Sequence, residues 1–333
     1  MSVQKKILIP GGTGAMGTYL VPELLRMGYR VDVVSLDDRT SDHPSLRYFR
    51  ANFKEDGIAD TFLKNEYDAI VDFMVYGTDE FCEKVFPLIR GCGHYIFLSS
   101  YRVYANEEHP ITERSPRLLD VSKDQKFLAT DDYSLYKARG ENFLKASDLP
   151  NWTAIRPAIT FSQRRYQLVT LEAPLVVGRA RAGKKVVLPR EALSVQATMT
   201  WAGDVAKMIA RLLFNPATYR EIYNVSTAEH NTWETVASYY QRLIGLEYVA
   251  VDKEDFLNLV TDDTEHPRWQ LEYDRLFDRI VDNTKILNVT GLKQSDLTPV
   301  YDGLARELNA LPQNVLFTDD TRNAKMDAYL KTL

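Results

Sequence analysis

The sequence predicts an α/β fold: a doubly wound parallel sheet with helices on both faces and a smaller C-terminal lobe interleaved with it. Three observations predict it. Short apolar runs alternate with helix-period segments through the first hundred residues. Between most of these runs lies a helix-period segment, the arrangement of right-handed βαβ units in a parallel sheet. The 333 residues are 45% hydrophobic and 26% charged, a globular composition able to bury a large core.

The elements follow in order. "KILI" (6–9) reads as the first strand, and "AMGTYLVPELLRMG" (15–28) as a helix closed by Gly28, with Pro22 as a local conflict. "YRVDVVSL" (29–36) is the second strand, "LRYFRANF" holds a shorter one, and "YDAIVDFMV" (67–75) is the next. "DEFCEKVFPLIRGCG" (79–93) is a helix, and "HYIFLSS" (94–100) a strand. A charged, proline-containing loop over 104–130 precedes the helix that holds "YSLYKARGENFLKA", and "WTAIR" (152–156) is a further strand. Beyond about 160 the pattern loosens. "VVL" (186–188) and "EIYNVS" (221–226) read as strands, and "GDVAKMIARLLF" (203–214) as a helix. "NTWETVASYYQRLIG" reads as a helix with Asn231 as N-cap and Glu234 at N3. Residues 1–160 are expected to form the nucleotide-binding half, and 161–333 mainly a substrate lobe, with some segments returning to the core.

Bulk properties narrow the function. A net charge of −5 and a pI near 5.7 leave no electrostatic footprint for nucleic acid or anionic membrane. The start "MSVQKKILIP" has too short an apolar run for a signal peptide, and no run is long enough for a membrane span. Cys82 and Cys92 form no disulfide framework, and no Cys/His cluster has metal-ligand spacing. The expectation is a cytoplasmic protein without a structural metal.

"ILIPGGTGAMG" places Gly11, Gly12, Thr13, Gly14, Ala15, Met16 and Gly17 between a strand and a helix. A tight turn, close approach of backbone to a pyrophosphate and free N–H groups at a helix start all favour glycine there. Asp37 follows Gly17 by 20 residues, at the end of the second strand. It suits the adenosine ribose hydroxyls and repels a 2′-phosphate, so NAD is expected over NADP, with Arg39 as the residue that opposes this. The sheet is therefore expected to be Rossmann-like.

Gly11, Gly14 and Gly17 also fit G-x-x-G-x-x-G. With "YSLYK" (133–137), "FLSSYRVYA", "HPITERSP", "IRPA" and "TWAGDVAKMIARLL" in order, the chain resembles the extended short-chain dehydrogenase/reductase superfamily, in its NAD-dependent epimerase/dehydratase family. The resemblance covers about residues 5–215. The chain departs from the family pattern at Pro10, where Thr is usual, and at Asn52, where Asp is usual near the adenine. It also has "DFMV" (72–75) and "ITFSQ" in place of the usual segments, and "SVQATMTW" lacks the arginine that contacts a diphosphate in many sugar-nucleotide members.

On a helix Tyr133 and Lys137 share a face, whereas Tyr136 points elsewhere and reads as packing. The family's Tyr-x-x-x-Lys pattern selects the same pair. A nearby ammonium favours the phenolate and so makes a tyrosine a usable base. The resemblance implies that Lys137 also bonds the nicotinamide ribose and that Ser100 bonds the reacting substrate oxygen. Tyr101 and Tyr104 read as packing or pocket wall, His94 and His109 as ordinary surface or strand-edge residues, and "DDTEHPR" (262–268) as a solvated loop.

These readings lead to an NAD-dependent epimerase of a sugar, with a nucleotide sugar as its partner and a homodimer implied by the resemblance. Tyr101 and Arg102 stand where a dehydratase carries Asp and Glu, which argues against loss of water. The alternatives are a dehydrogenase or reductase of a carbonyl substrate, and a non-catalytic nucleotide-binding or RNA-associated protein.

Overall fold

The computed structural model describes residues 4–163, 165–261 and 265–333. Seven parallel strands form the central sheet: β1 (Lys6–Pro10), β2 (Arg30–Ser35), β3 (Leu46–Arg50), β4 (Tyr67–Asp72), β5 (Cys92–Leu98), β6 (Trp152–Pro157) and β7 (Glu221–Val225). Their spatial order is β7-β6-β5-β4-β1-β2-β3. The order reverses between β1 and β4. The carboxyl ends of the strands therefore open a crevice at that point, where this class of sheet takes its ligands.

Strands buried on both sides read as continuous apolar runs, and both faces here are covered. Helices α1 (Gly17–Arg26) and α4 (Ala202–Leu212) close one face, where Leu20, Val21 and Leu24 meet Val205, Met208 and Ile209 over Ile7, Ile9 and Val33. Helices α2 (Phe81–Arg90) and α3 (Tyr133–Ala146) close the other, where Phe81, Val85, Leu88 and Leu144 pack on Leu8, Ile70, Tyr95 and Phe97. A fully buried aliphatic or aromatic side chain of this kind contributes about 1.5–3 kcal/mol through removal from water.

A further core buries Tyr166, Leu168, Val187, Trp233, Tyr240 and Phe256 together with Tyr101, Tyr104 and Ala138. Two parallel pairings organise it, Val186–Pro189 with Tyr248–Val251 and Ile159–Phe161 with Met199–Trp201. The chain returns to the first half through α4 and β7, so the lobes interleave. Among the described residues no helix is long and apolar enough to cross a membrane.

Three local readings need correction. The cap of helix α5 (Trp233–Ile244) is Thr232, whose Oγ1 accepts from Thr235 N at 3.1 Å, while Asn231 pairs with Ala197 in a short antiparallel bridge. A threonine one residue on can serve as well, and the bridge fixes which one does. His94 is fully buried: Nε2 lies 2.8 Å from Thr153 Oγ1, and Nδ1 accepts from Phe214 N at 3.1 Å. Burial, with the nearby Lys5 charge, lowers its pKa to about 4, so it is a neutral structural residue. His109 is exposed, as expected.

The third correction concerns the 262–268 run. Residues 262–264 lie outside the described residues. The rest is held by ion pairs: Glu265 with Lys126 at 2.6 Å, Arg268 with Glu254 at 2.7 Å and with Glu272 at 2.9 Å. It opens a short helix, His266–Gln270, and is not a solvated loop.

Candidate active site

The glycine loop turns sharply out of β1. Gly11 has φ +72°, a left-handed conformation that favours glycine. A Cβ on Gly17 would lie 2.3 Å from the Gly12 carbonyl oxygen, so only glycine lets α1 start hard against the loop. Gly11, Thr13 and Gly14 line a cleft of about 270 Å³ together with Ser35, Asp37, Asn52, Phe53 and Met74. Asp37 and Asn52 are both exposed there. Asn52 Oδ1 accepts from Lys54 N at 3.2 Å, and Asp37 lies 3.9 Å from Arg39 Nε. Bare loop backbone, a helix start and a carboxylate on one cleft fit the adenosine and pyrophosphate of a dinucleotide.

A second pocket of about 440 Å³ lies beside it. Met16 and Val75 border this pocket, while Gly14 and Met74, their near neighbours in the chain, border the first cleft. The two therefore run together over the carboxyl ends of β1, β4 and β5. Ala15, between Gly14 and Met16, is half-buried.

Ser100 and Tyr133 both line the second pocket, and Tyr136 does not border it. Ser100 follows β5 and caps a short 3₁₀ turn, its Oγ accepting from Arg102 N at 3.2 Å. Tyr133 opens α3, whose N-cap is Asp132. Tyr136 meets the Tyr133 ring edge-on at 5.4 Å, and burial pushes its hydroxyl pKa up.

Lys137 is enclosed. Its Nζ donates to the Leu98 carbonyl at 2.7 Å and stands 5.7 Å from the ring centroids of Tyr133 and Tyr136 alike. Burial depresses its ammonium pKa to about 8 against the charges of Asp72 and Glu141. The helix thus ties its lysine to the end of β5, beside Ser100.

Other pocket residues were not foreseen. Arg102, Arg165 and Arg275 bring three guanidinium groups to the wall, with Glu172, Gln167 and His266 among them. Arg102 is 9% exposed, stands over the Tyr133 ring at 5.1 Å, and has an Nε with no hydrogen-bond partner among the described residues. Arg275 donates to the Tyr101 hydroxyl at 2.9 Å and to the Val169 carbonyl at 2.8 Å, so Tyr101 is a pocket wall that also fixes an arginine. Tyr104 is buried packing and donates to Asn224 at 2.6 Å. Arg102 stands two residues after Ser100 and was readable as a candidate. The others come from distant segments with no motif.

The sequence profile of the NAD dependent epimerase/dehydratase family matches residues 7–226. The chain belongs to this family. A chloroplast stem-loop binding protein of 41 kDa from Arabidopsis thaliana is 24% identical over 253 residues, 71% of this chain and 62% of the relative, so the match spans less than two thirds of that relative's length. An epimerase from Methanothermobacter thermautotrophicus superposes with a TM-score of 0.69 at 14% identity, covering 92% of this chain and 91% of the other. A UDP-glucose 4-epimerase from Thermus thermophilus, solved with NAD, gives 0.65 at 17% identity, covering 93% and 100%. At these identities the structural likeness is one of fold, and the family's name carries the NAD dependence.

Within this family Asp37 predicts the cofactor preference. Calorimetric titration is expected to give at least ~10-fold tighter binding of NAD than of NADP, because a 2′-phosphate would stand against the carboxylate. Equal or reversed affinities would instead assign the ribose end to Arg39.

Proposed function

We propose that the protein is an NAD-dependent epimerase of a nucleotide sugar. The observation that carries this is the shared pocket: Ser100 and Tyr133 line one space together with Arg102, Arg165 and Arg275. Guanidinium groups suit the oxygens of a diphosphate, and they stand in for the arginine absent from "SVQATMTW".

Ser100 would hold the oxygen of a sugar hydroxyl, and Tyr133 would take its proton. NAD, along the loop of Gly11 to Gly17 with Asp37 and Asn52 at its adenosine end, supplies the hydride acceptor. Lys137 would bond the nicotinamide ribose, and its anchor on the Leu98 carbonyl would keep it at that end of the crevice. The resulting keto sugar would then turn its other face to the same site, where the hydride held by the reduced cofactor would return to the carbon and Tyr133 would return the proton to the oxygen. The solved neighbour with NAD bound and the family's name both support this reading. Tyr101 and Arg102, in the place of an Asp-Glu pair, support inversion over loss of water.

Arg165 tests the diphosphate half. Arg165→Ala is expected to raise KM for a nucleotide sugar about tenfold with little change in kcat, the loss of one charge-assisted hydrogen bond. A fall in kcat at unchanged KM would move Arg165 from binding to the chemistry.

The name of the Arabidopsis relative raises a second reading, a stem-loop RNA binder on the same fold. The net charge of −5 gives it no phosphate-tracking surface in aggregate. Gel-shift titration with a stem-loop RNA, alongside assays on UDP-, dTDP- and GDP-hexoses, separates the two. Epimerised sugar without salt-sensitive RNA binding supports the enzyme, and the converse supports the binder.

A further inference from the structure

Beside Tyr133 the pocket carries a second titratable pair that carbinol oxidation alone does not use. His266 borders the same pocket as Ser100 and Tyr133, and its Nδ1 lies 3.2 Å from Oδ2 of Asp132. Asp132 is 7% exposed. Its other oxygen caps α3, accepting from Ser134 N at 3.0 Å and Ser134 Oγ at 2.8 Å, and lies 3.8 Å from an Arg102 nitrogen. Burial would raise this carboxyl, but the His266 hydrogen bond, the Arg102 charge and the Ser134 N–H hold its pKa at about 2. A carboxylate only accepts, so Nδ1 carries the proton and Nε2 is the basic nitrogen. A histidine whose tautomer is fixed by a buried aspartate, on the wall of a substrate pocket, has the arrangement of a general base.

We propose that His266, oriented by Asp132, is a second general base of this pocket, moving a proton at the carbon next to the one that is oxidised. The inference rests on the hydride-transfer reading above. Once the carbinol carbon has become a carbonyl, the C–H bond on its neighbour is acidic. His266 Nε2 takes that proton, and the C–H electron pair shifts to make the enolate. The enolate oxygen is the one that Ser100 and Tyr133 already bond. Return of a proton from the imidazolium restores the carbonyl, with no net oxidation and no group lost. The His266 side chain is about half exposed, so its proton exchanges with water before it returns. Asp132 is a positioning residue in this scheme: it sets the tautomer and touches no substrate.

The test uses the whole protein with NAD and a panel of UDP-hexoses in D₂O, each sugar also prepared with a hydrogen label on the carbinol carbon. The wild type is expected to place solvent deuterium on the adjacent carbon of the recovered sugar. His266→Gln is expected to lower that exchange ~10²-fold or more while label transfer at the carbinol carbon continues. Asp132→Asn keeps an N-cap for α3 but presents an amide donor to Nδ1, so it should lose the exchange as well. Spectra of ¹⁵N-histidine-labelled protein give a readout independent of turnover. Of the five histidines, the one missing in His266→Gln should carry its proton on Nδ1 in the wild type and on Nε2 in Asp132→Asn. Label transfer without adjacent deuterium, or exchange undiminished in His266→Gln, overturns the inference and leaves the hydride reading standing. Absence of any label transfer overturns the hydride reading itself, and this inference with it.

Discussion

Tyr133→Phe is expected to lower kcat by ~10²–10⁴-fold, the loss of a general acid–base group, while NAD binding stays within about twofold of the wild type. The ring remains, so its edge contact with Tyr136 and the guanidinium of Arg102 above it are kept. What goes is the one hydroxyl on α3 that faces the pocket with Ser100. Tyr136→Phe is the matched control. Tyr136 stands the same 5.7 Å from Lys137 Nζ, so distance to the lysine does not choose between the tyrosines. Pocket access does, and Tyr136→Phe should change turnover by less than about twofold. Steady-state kinetics of the two variants decide it, and a larger loss in Tyr136→Phe would reverse the assignment.

Glu141→Ala is expected to destabilise the fold by about 3–5 kcal/mol, read as a lower urea midpoint at unchanged slope. Glu141 is fully buried on α3 and accepts from Arg156 Nε at 2.7 Å, from a second Arg156 nitrogen at 2.6 Å, from Arg117 at 3.1 Å and from Ser99 Oγ at 2.6 Å. Burial works against the Arg156 charge, but the Glu141 carboxylate outweighs it and raises the arginine's pKa. Removing the carboxylate leaves a guanidinium that is 1% exposed without its counter-charge. The same contacts fasten α3 to β6 and to the segment between β5 and Ser100, so loss of stability and misplacement of Tyr133 should come together. A loss below about 1 kcal/mol would mean that Arg156 finds water or another partner.

The contrast between these residues explains what the sequence could reveal. Gly11 to Gly17, Asp37, Ser100 and Tyr133 sit at or beside the ends of strands and helices, so local strand–helix units bring them to one sheet edge, and Lys137 follows one turn into α3. Strand and helix order was legible for the same reason. The pocket wall was not. Arg165, Glu172, His266 and Arg275 arrive from a lobe whose elements have no regular alternation, and His266 meets Asp132 across 134 residues. His94 illustrates the same limit, since a strand-start histidine reads as exposed until Phe214 folds over it. Asp132 caps α3 through one oxygen, and its second oxygen acquires a partner only in the folded arrangement that brings His266 against it.

The central claim, that this chain inverts a sugar carbon through transient oxidation at Tyr133, is tested most directly on UDP-hexoses. Each is incubated with the purified protein and NAD, and the product is resolved by mass and by NMR. The account predicts a product of unchanged mass with one inverted carbon, formed by the wild type and not by Tyr133→Phe. A product lighter by one water, or a stoichiometric gain of reduced nicotinamide, would contradict it.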